Sequence, residues 1–476
     1  MHIQQLMETS GVKFGTSGAR GLAADMTGPV CYAYARAFLQ VIGAAPGGKV
    51  ALAMDLRPSS PDITRACMAA ARDAGLSPVF CGVIPTPALA FFAQQKGLPA
   101  IMITGSHIPF DRNGIKFYRA EGEITKADEA GIAAAHVDVP ADLALPGLPA
   151  PDQEARQRYI ARYLDFFRPG ILAGVRLGFY EHSSVARDLL RDILEGLGGE
   201  VISLGRTDQF VPIDTEAVAE ADVQQARSWA AEHRFDAILS TDGDADRPLL
   251  GDENGHWFRG DVVGILTARY LGVQALATPV SSNTAVEESA AFPRVARTRI
   301  GSPYVIAAME DLANSGPGPV AGFEANGGFL LGSPVDRHGF ELAPLPTRDA
   351  VLPILALLAM AREKGIPVSR LPAELPARYT ASDRIQNFAT DKSRQLIADL
   401  AGNPSALASF LAPFGTPAGL DQTDGLRITL ASGDIIHLRP SGNAPELRCY
   451  AEADEQEKAN RLTRDALARV RDVAGG

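Results

Sequence analysis

The chain has 476 residues, enough for about three packed domains, and its 46% hydrophobic and 21% charged content excludes a disordered chain. A net charge of -11 and a pI near 5.3 exclude recognition of DNA or RNA through a broad basic surface, while leaving room for a small anion in a locally basic cleft. Cys31, Cys67, Cys81 and Cys449 form no C-x-x-C pair, which argues against a disulfide framework or zinc site and for a reducing cytoplasm.

Met1 to Gly11 is polar and has no signal-peptide core. Phe14 to Gly21, F-G-T-S-G-A-R-G, packs three glycines and two hydroxyls into eight residues. Such a loop exposes backbone N–H groups to an anion, and Arg20 adds charge; the same stretch also reads as an ordinary Gly-rich turn. Val30 to Val41 predicts a helix, Lys49 to Met54 a strand, Asp62 to Ala74 a helix, Ser77 to Cys81 a strand and Thr86 to Gln95 a helix. This alternation predicts a parallel sheet with right-handed crossovers. Ala100 to Ile103 is a buried strand leading into T-G-S-H-I-P-F-D-R-N-G-I-K-F-Y. Ser106, His107 and Lys116 thus gather a hydroxyl, an imidazole and an ammonium group at a strand end, where open α/β sheets place their chemistry. Asn113-Gly114 marks a tight turn. Asp138 to Pro151, with four prolines, is a linker.

A second α/β unit follows. Its last strand, Asp236 to Ser240, runs into T-D-G-D-A-D-R. A third begins near Gly255, with a loop Ile300 to Tyr304 and a strand Pro319 to Phe323 ending at Glu324-Ala325-Asn326-Gly327-Gly328. Ala350 to Ala361 is the longest apolar stretch, too short to span a bilayer and interrupted by Pro353. Gly365 to Pro376 is Pro-rich enough to be a hinge. The tail is α+β: strands Gly425 to Leu430, Ile435 to Leu438 and Glu446 to Glu452, a hairpin turn at 431–434, and a helix Glu455 to Val473. The division expected is 1–150, 151–254, 255–370 and 371–476, three mixed α/β domains of similar topology and a C-terminal α+β domain.

Asp242, Asp244 and Asp246 stand at i, i+2, i+4, so in extended backbone their carboxylates point one way and repel unless a cation joins them. Oxygen ligands of this kind favour Mg²⁺ or Ca²⁺. A calcium-binding EF-hand loop, with Glu253 at its twelfth position, is the rival; Arg247 at the sixth position and a flanking strand oppose it. Arg247 is placed to meet an anion shared with the metal. Arg439 to Arg448, R-P-S-G-N-A-P-E-L-R, offers two guanidinium groups, a hydroxyl and an amide to a phosphate monoester, and reads equally as a Pro-Gly loop with incidental arginines.

These motifs, taken in order, resemble the α-D-phosphohexomutase superfamily across the whole chain, with the nearest likeness to bacterial phosphomannomutases. The resemblance implies four domains around a central cleft. It implies that Ser106 carries a phosphoryl group, that Ser106, Asp242, Asp244 and Asp246 hold Mg²⁺, and that a hexose 1,6-bisphosphate is intermediate and activator. Glu324, Asn326, Gly301, Ser302 and Tyr304 would meet the sugar; Arg439, Ser441, Gly442, Asn443 and Arg448 would hold the distal phosphate. Arg20, His107, Arg247 and Lys116 would serve the transfer, Lys116 with a pKa lowered by other cations so that it can pass a proton. The expected partners are small hexose phosphates, with neither nucleic acid nor membrane. The expected enzyme is a cytoplasmic monomer or homodimer feeding GDP-mannose synthesis.

Three positions depart from the family pattern: Gly105 for Ala, Ile108 for Asn, and Gly328 for the His of the sugar loop. His338 or His107 could stand in for the last, although single histidines in such places usually serve structure. A phosphoglucomutase or phosphoglucosamine mutase is the alternative within the class. A non-catalytic sugar-phosphate sensor and a Ser106–His107 hydrolase are remote alternatives, the latter because adjacent residues rarely pair as nucleophile and base.

Overall fold

The computed structural model describes residues 1–15, 18–441 and 445–475. The chain forms two compact units, Met1–Gly272 with Asn326–Leu371, and Val273–Ala325 with Pro372–Gly476. Of the three crossings between them, the last, at 371/372, falls inside the predicted hinge.

In the first unit a six-stranded sheet runs in the order Lys13–Gly15, Gly18–Leu22, Arg112–Tyr118, Ala100–Ile103, Lys49–Met54, Ser77–Val83. Lys49–Met54 pairs in parallel with both its neighbours, as expected, but the other pairs are antiparallel. The fully parallel sheet is therefore corrected. Only residues 104–111 join Ala100–Ile103 to Arg112–Tyr118, and a parallel return needs a dozen or more. Asn113-Gly114 is likewise not a turn: both residues lie inside the strand Arg112–Tyr118. Helices Gly28–Val41 and Ser60–Asp73 cover the sheet with Tyr34, Phe38 and Met68. Phe38 stacks on Phe117 at 4.8 Å, worth about 0.5–1.5 kcal/mol beyond its burial.

A four-stranded sheet follows in the order Pro248–Gly251, Ala237–Thr241, Arg176–Tyr180, Glu200–Leu204. Its inner pairs are parallel, but Pro248–Gly251 folds back antiparallel on Ala237–Thr241. The aspartate triplet occupies the turn between them, closed by Asp242 N donating to Arg247 O at 3.1 Å. A strand follows the triplet, and Glu253 accepts from Ser369 N and Oγ at 3.1 and 2.5 Å, so the EF-hand alternative falls. The antiparallel strands Phe329–Leu331 and Leu345–Asp349, and helices Gly260–Tyr270 and Val351–Lys364, complete this unit.

In the second unit Arg294–Thr298, Ala275–Pro279 and Val320–Phe323 pair in parallel. A five-stranded antiparallel sheet runs Tyr379–Gln386, Glu446–Ala453, Ile435–Pro440, Leu426–Leu430, Pro417–Asp421. Its Leu426, Ile428, Ile436, Leu438 and Leu447 pack against Phe410 and Leu467 on the helices Pro404–Leu411 and Gln456–Gly475. The predicted hairpin at 431–434 is present, closed by Leu430 N donating to Asp434 O. The outer strands Tyr379–Gln386 and Pro417–Asp421 have no counterpart in the sequence reading: the first is half exposed without regular alternation and the second almost wholly exposed, so their apolar periodicity is weak. Among the described residues no helix is long and apolar enough to cross a membrane.

Candidate active site

Ser106 stands three residues beyond the buried strand Ala100–Ile103, with its backbone at φ 54°. A non-glycine residue in that region is strained and needs restraint from its surroundings. Ser106 N donates to Thr104 Oγ1 at 2.8 Å, and Ser106 O accepts from Arg57 Nη2 at 2.8 Å. Arg57 is itself buried, bonded to Asp55 and to the carbonyls of Ile108 and Pro109, and lies 3.9 Å from the Phe210 ring centroid. Gly105 leaves room for that guanidinium. A Cβ there would stand 2.6 Å from Arg57 Cζ, which accounts for the first departure from the family pattern.

The Ser106 hydroxyl donates to Asp242 Oδ2 at 2.6 Å. His107 Nδ1 is 3.3 Å from Ser106 Oγ but accepts from Arg247 Nη1 at 2.9 Å. Guanidinium can only donate, so Nδ1 is an acceptor in a neutral ring. Burial, then Arg247 and Arg20, hold this imidazole well below its usual pKa. The serine proton points to an aspartate far along the chain, and the Ser106–His107 hydrolase pair is excluded.

All three aspartates are buried, with carboxylate oxygens within 4.8 Å of one another. Asp244 Oδ2 accepts from Thr86 Oγ1 and Lys116 Nζ, both at 2.6 Å. Asp246 Oδ2 accepts from Lys116 Nζ at 2.7 Å and from Arg348 Nη2 and Nε at 2.8 and 3.1 Å. Oδ1 of Asp244 and Oδ1 of Asp246 are buried without a hydrogen-bond donor among the described residues. Bare carboxylate oxygens beside a serine hydroxyl fit a hard divalent cation. Burial, then repulsion from Asp244 and Asp246, pushes the Asp242 carboxyl well up. Burial acts the same way on Asp246, but Arg348, Lys116 and Arg247 outweigh it and hold that group ionised.

Lys116 corrects an expectation. Burial alone would lower its pKa, but Asp244 and Asp246 outweigh burial and raise it. It is a firmly charged ion-pair partner, and a base with a lowered pKa is not what the geometry provides. Arg20, pushed down to about 10 by burial and then by Arg247 and Arg348, remains a cation at neutral pH. Lys116, Arg20, Arg247 and Arg348 make four formal positive charges against three aspartates, an excess of one that suits an arriving phosphoryl group.

Sequence reasoning missed Arg348, Thr86 and Arg57. Arg348 is the penultimate residue of the strand Leu345–Asp349, whose Asp349 accepts from Tyr159 OH at 2.6 Å and from Val351 N at 2.8 Å, with Tyr163 OH as a further donor. The only local sign was an arginine among polar residues, Thr347-Arg348-Asp349, ahead of an apolar helix. Arg348 also accounts for the missing sugar-loop histidine: a Cβ at Gly328 would stand 2.7 Å from Arg348 Cδ. His338 is no substitute, since it lies exposed at φ 57° in the turn between Val335–Arg337 and Phe340–Leu342.

The remaining candidates fall on other segments. Asn326 belongs to the first unit, accepting from Gly328 N through Oδ1 and from Thr215 Oγ1 through its carbonyl. Glu324, buried, ends the strand Val320–Phe323 of the second unit. Gly301 caps the helix Ser302–Asn314; Ser302 is buried and Tyr304 is exposed, with Arg299 Cζ 6.0 Å from its ring centroid. Arg439 and Arg448 are directly opposite on neighbouring strands, and Arg384, which the sequence reading also missed, is opposite Arg448 on the next. Directly opposed residues share a face, so three guanidinium groups line one side of the sheet. Arg439 donates to Asp424 Oδ2 at 2.8 Å, while Arg448 and Arg384 meet Glu446 at 3.8 and 3.6 Å. Ser441 is buried, its N donating to Glu446 O at 2.8 Å. Gly442 and Asn443, also predicted to bind phosphate, lie outside the described residues.

Residues 11–138 match the phosphoglucomutase/phosphomannomutase alpha/beta/alpha domain I, residues 259–379 its alpha/beta/alpha domain III, and residues 367–469 its C-terminal domain. The chain is 47% identical to a phosphomannomutase of Sinorhizobium fredii, covering 96% of this chain and 98% of that one. It is 48% identical to a phosphomannomutase of Salmonella muenchen, covering 99% and 98%. A phosphoglucosamine mutase of Deinococcus deserti matches at 26% over 97% and 98%. In fold it resembles a phosphoglucomutase/phosphomannomutase family protein of Burkholderia thailandensis, with a TM-score of 0.75, 20% identity and 97% coverage of both chains.

Proposed function

Since the chain belongs to the phosphoglucomutase/phosphomannomutase family, we propose that it interconverts mannose 6-phosphate and mannose 1-phosphate through a phosphoserine at Ser106. It is an isomerase, an intramolecular phosphotransferase. The observation that carries the mannose assignment is the identity of 47–48% with phosphomannomutases over nearly the whole chain, against 26% with a phosphoglucosamine mutase.

In the first half-reaction the Oγ–P bond of phosphoserine breaks and a P–O1 bond forms on mannose 6-phosphate. O1 gives up its proton, Ser106 Oγ gains one, and mannose 1,6-bisphosphate results. The bisphosphate turns round, its 6-phosphoryl returns to Ser106, and mannose 1-phosphate leaves. Mg²⁺ held by Asp242, Asp244 and Asp246 would screen the charge of the transferring group. In the unphosphorylated enzyme Asp242 Oδ2, 2.6 Å away, accepts from the Ser106 hydroxyl and so orients Oγ for the returning phosphoryl group. Arg20, Arg247 and Lys116 supply the positive charge that phosphoryl transfer chiefly requires. Glu324, Asn326 and the segment Gly301, Ser302 and Tyr304 are read as meeting the sugar, and Arg439, Ser441, Gly442, Asn443 and Arg448 as holding the distal phosphate. Hexose 1,6-bisphosphate is the activator because it restores a phosphoserine lost to hydrolysis. The reading keeps four domains and a cytoplasmic setting, which four free, buried thiols suit.

Turnover of mannose, glucose and glucosamine 6-phosphates, with Mg²⁺ and a trace of hexose 1,6-bisphosphate, is the test. The highest kcat/KM is expected for mannose 6-phosphate; a value as high for glucosamine 6-phosphate would sink the assignment.

A further inference from the structure

Asp424 lies in neither segment read as binding substrate, yet it touches both. Its Oδ2 accepts from Ile300 N, at the head of the Ile300–Tyr304 segment, at 2.9 Å. The same oxygen accepts from Arg439 Nε, at the head of the Arg439–Arg448 segment, at 2.8 Å. The turn carrying Asp424 is doubly anchored: Arg299 Nε donates to Thr423 O at 3.0 Å, and His437 Nε2 bonds Asp424 O at 2.6 Å. Asp424 and Arg439 are largely buried, with side chains 18% and 16% exposed. The bond uses Nε, so it orients the guanidinium plane without engaging the Nη1/Nη2 edge. Arg439 also faces Arg448 directly across the strand pair, a like-charge juxtaposition that Asp424 relieves on one side.

We propose that Asp424 is a positioning residue for substrate binding: one carboxylate oxygen sets Arg439 and the Ile300–Tyr304 segment in register, so that a hexose phosphate is gripped at phosphate and ring together. The inference rests on the mutase reading above. Asp424 contacts no reacting atom, so its loss raises KM and largely spares kcat.

The experiment uses the full-length enzyme with mannose 1-phosphate as substrate, comparing Asp424→Asn, Arg439→Met and the double variant. Asp424→Asn is expected to raise KM about ten-fold with kcat within about three-fold, and to leave the phosphoserine occupancy seen by intact mass unchanged. In the double variant KM should rise over that of Arg439→Met by clearly less than the roughly ten-fold effect of Asp424→Asn alone, because the carboxylate acts partly through the guanidinium and partly through Ile300 N. An unchanged or lowered KM in Asp424→Asn overturns the proposal, as does an additive effect in the double variant. Should Asp424→Asn fail to fold, Arg439→Met, which leaves the turn intact, still decides: a wild-type KM in that variant removes the link. Absence of wild-type turnover on any hexose phosphate would fail the mutase reading itself, whereas active wild type with a silent Asp424→Asn fails only this inference.

Discussion

Around Ser106 the aspartates and Lys116 are sealed from water, and their partners lie close: Lys116 is 4% exposed and within 2.7 Å of two carboxylates that are at most 1% exposed. Along the Arg439–Arg448 segment the charged groups are more open: the side chains of Arg439 and Arg448 are 16% and 33% exposed. On the proposed function, the difference follows the two tasks. A transferring phosphoryl group is stabilised by charges already in place, because reorganising them during the reaction costs free energy. A sugar bisphosphate that turns round must be gripped and released, so its phosphate site cannot be sealed. The two regions nonetheless share a device. Behind the aspartate turn, His182 Nε2 bonds Thr241 O at 2.9 Å; behind the Asp424 turn, His437 Nε2 bonds Asp424 O at 2.6 Å. Burial lowers both imidazoles to about 4, so each is a neutral peg.

The contrast can be broken at its sealed side first. Ser106→Ala removes the atom proposed to carry the phosphoryl group and should cost at least about a thousand-fold in kcat, with loss of the phosphate seen by intact mass; full activity would end the phosphoserine mechanism. Arg348→Met leaves Asp246 with Lys116 as its closest cation and should lower kcat about 10- to 100-fold with little change in KM, as for groups that orient a metal ligand. A pure KM effect would move Arg348 to the gripping side of the comparison. Gly105→Ala forces Arg57 off its carbonyl partners, an overpacking cost of about 1–3 kcal/mol, read as a fall in Tm together with lower kcat.

The smallest effect is one of pH and should leave activity at pH 7 untouched. The unfolded chain binds protons at His182 and His437 below about 6.5, while the folded protein does not until about 4. The unfolded state therefore binds more protons in that window, and stability falls as pH drops from 6.5 towards 4. Thermal melts from pH 7.5 to 4 check this; replacing either histidine by an uncharged residue of similar size should flatten part of the slope.

Much of this was legible locally. Alternating apolar runs and helical spacing marked most strands and helices, but the antiparallel returns at 104–111 and 242–247, whose loops are too short for a crossover, went against the parallel sheet expected. The aspartate triplet and the Ser106 stretch carry their chemistry in adjacent residues, so residue type and spacing exposed them. Asn113-Gly114 misled because the same dipeptide serves a turn or, as here, the interior of a strand.

The partners of those groups were not legible. Arg348 reaches Asp246 across 102 positions, Lys116 reaches Asp244 across 128, Ser106 reaches Asp242 across 136, and Ile300 reaches Asp424 across 124. Sequence by itself determined most of the elements, the turn that gathers three carboxylates and the Ser106 stretch, because those depend on backbone preference and on neighbours a few residues away. Tertiary structure alone decided that Lys116 is a charged clamp, that Gly328 makes way for Arg348, and that Asp424 joins two distant loops. Burial makes an unpaired charge costly, and which opposite charge arrives to pair it depends on how the sheets and helices pack.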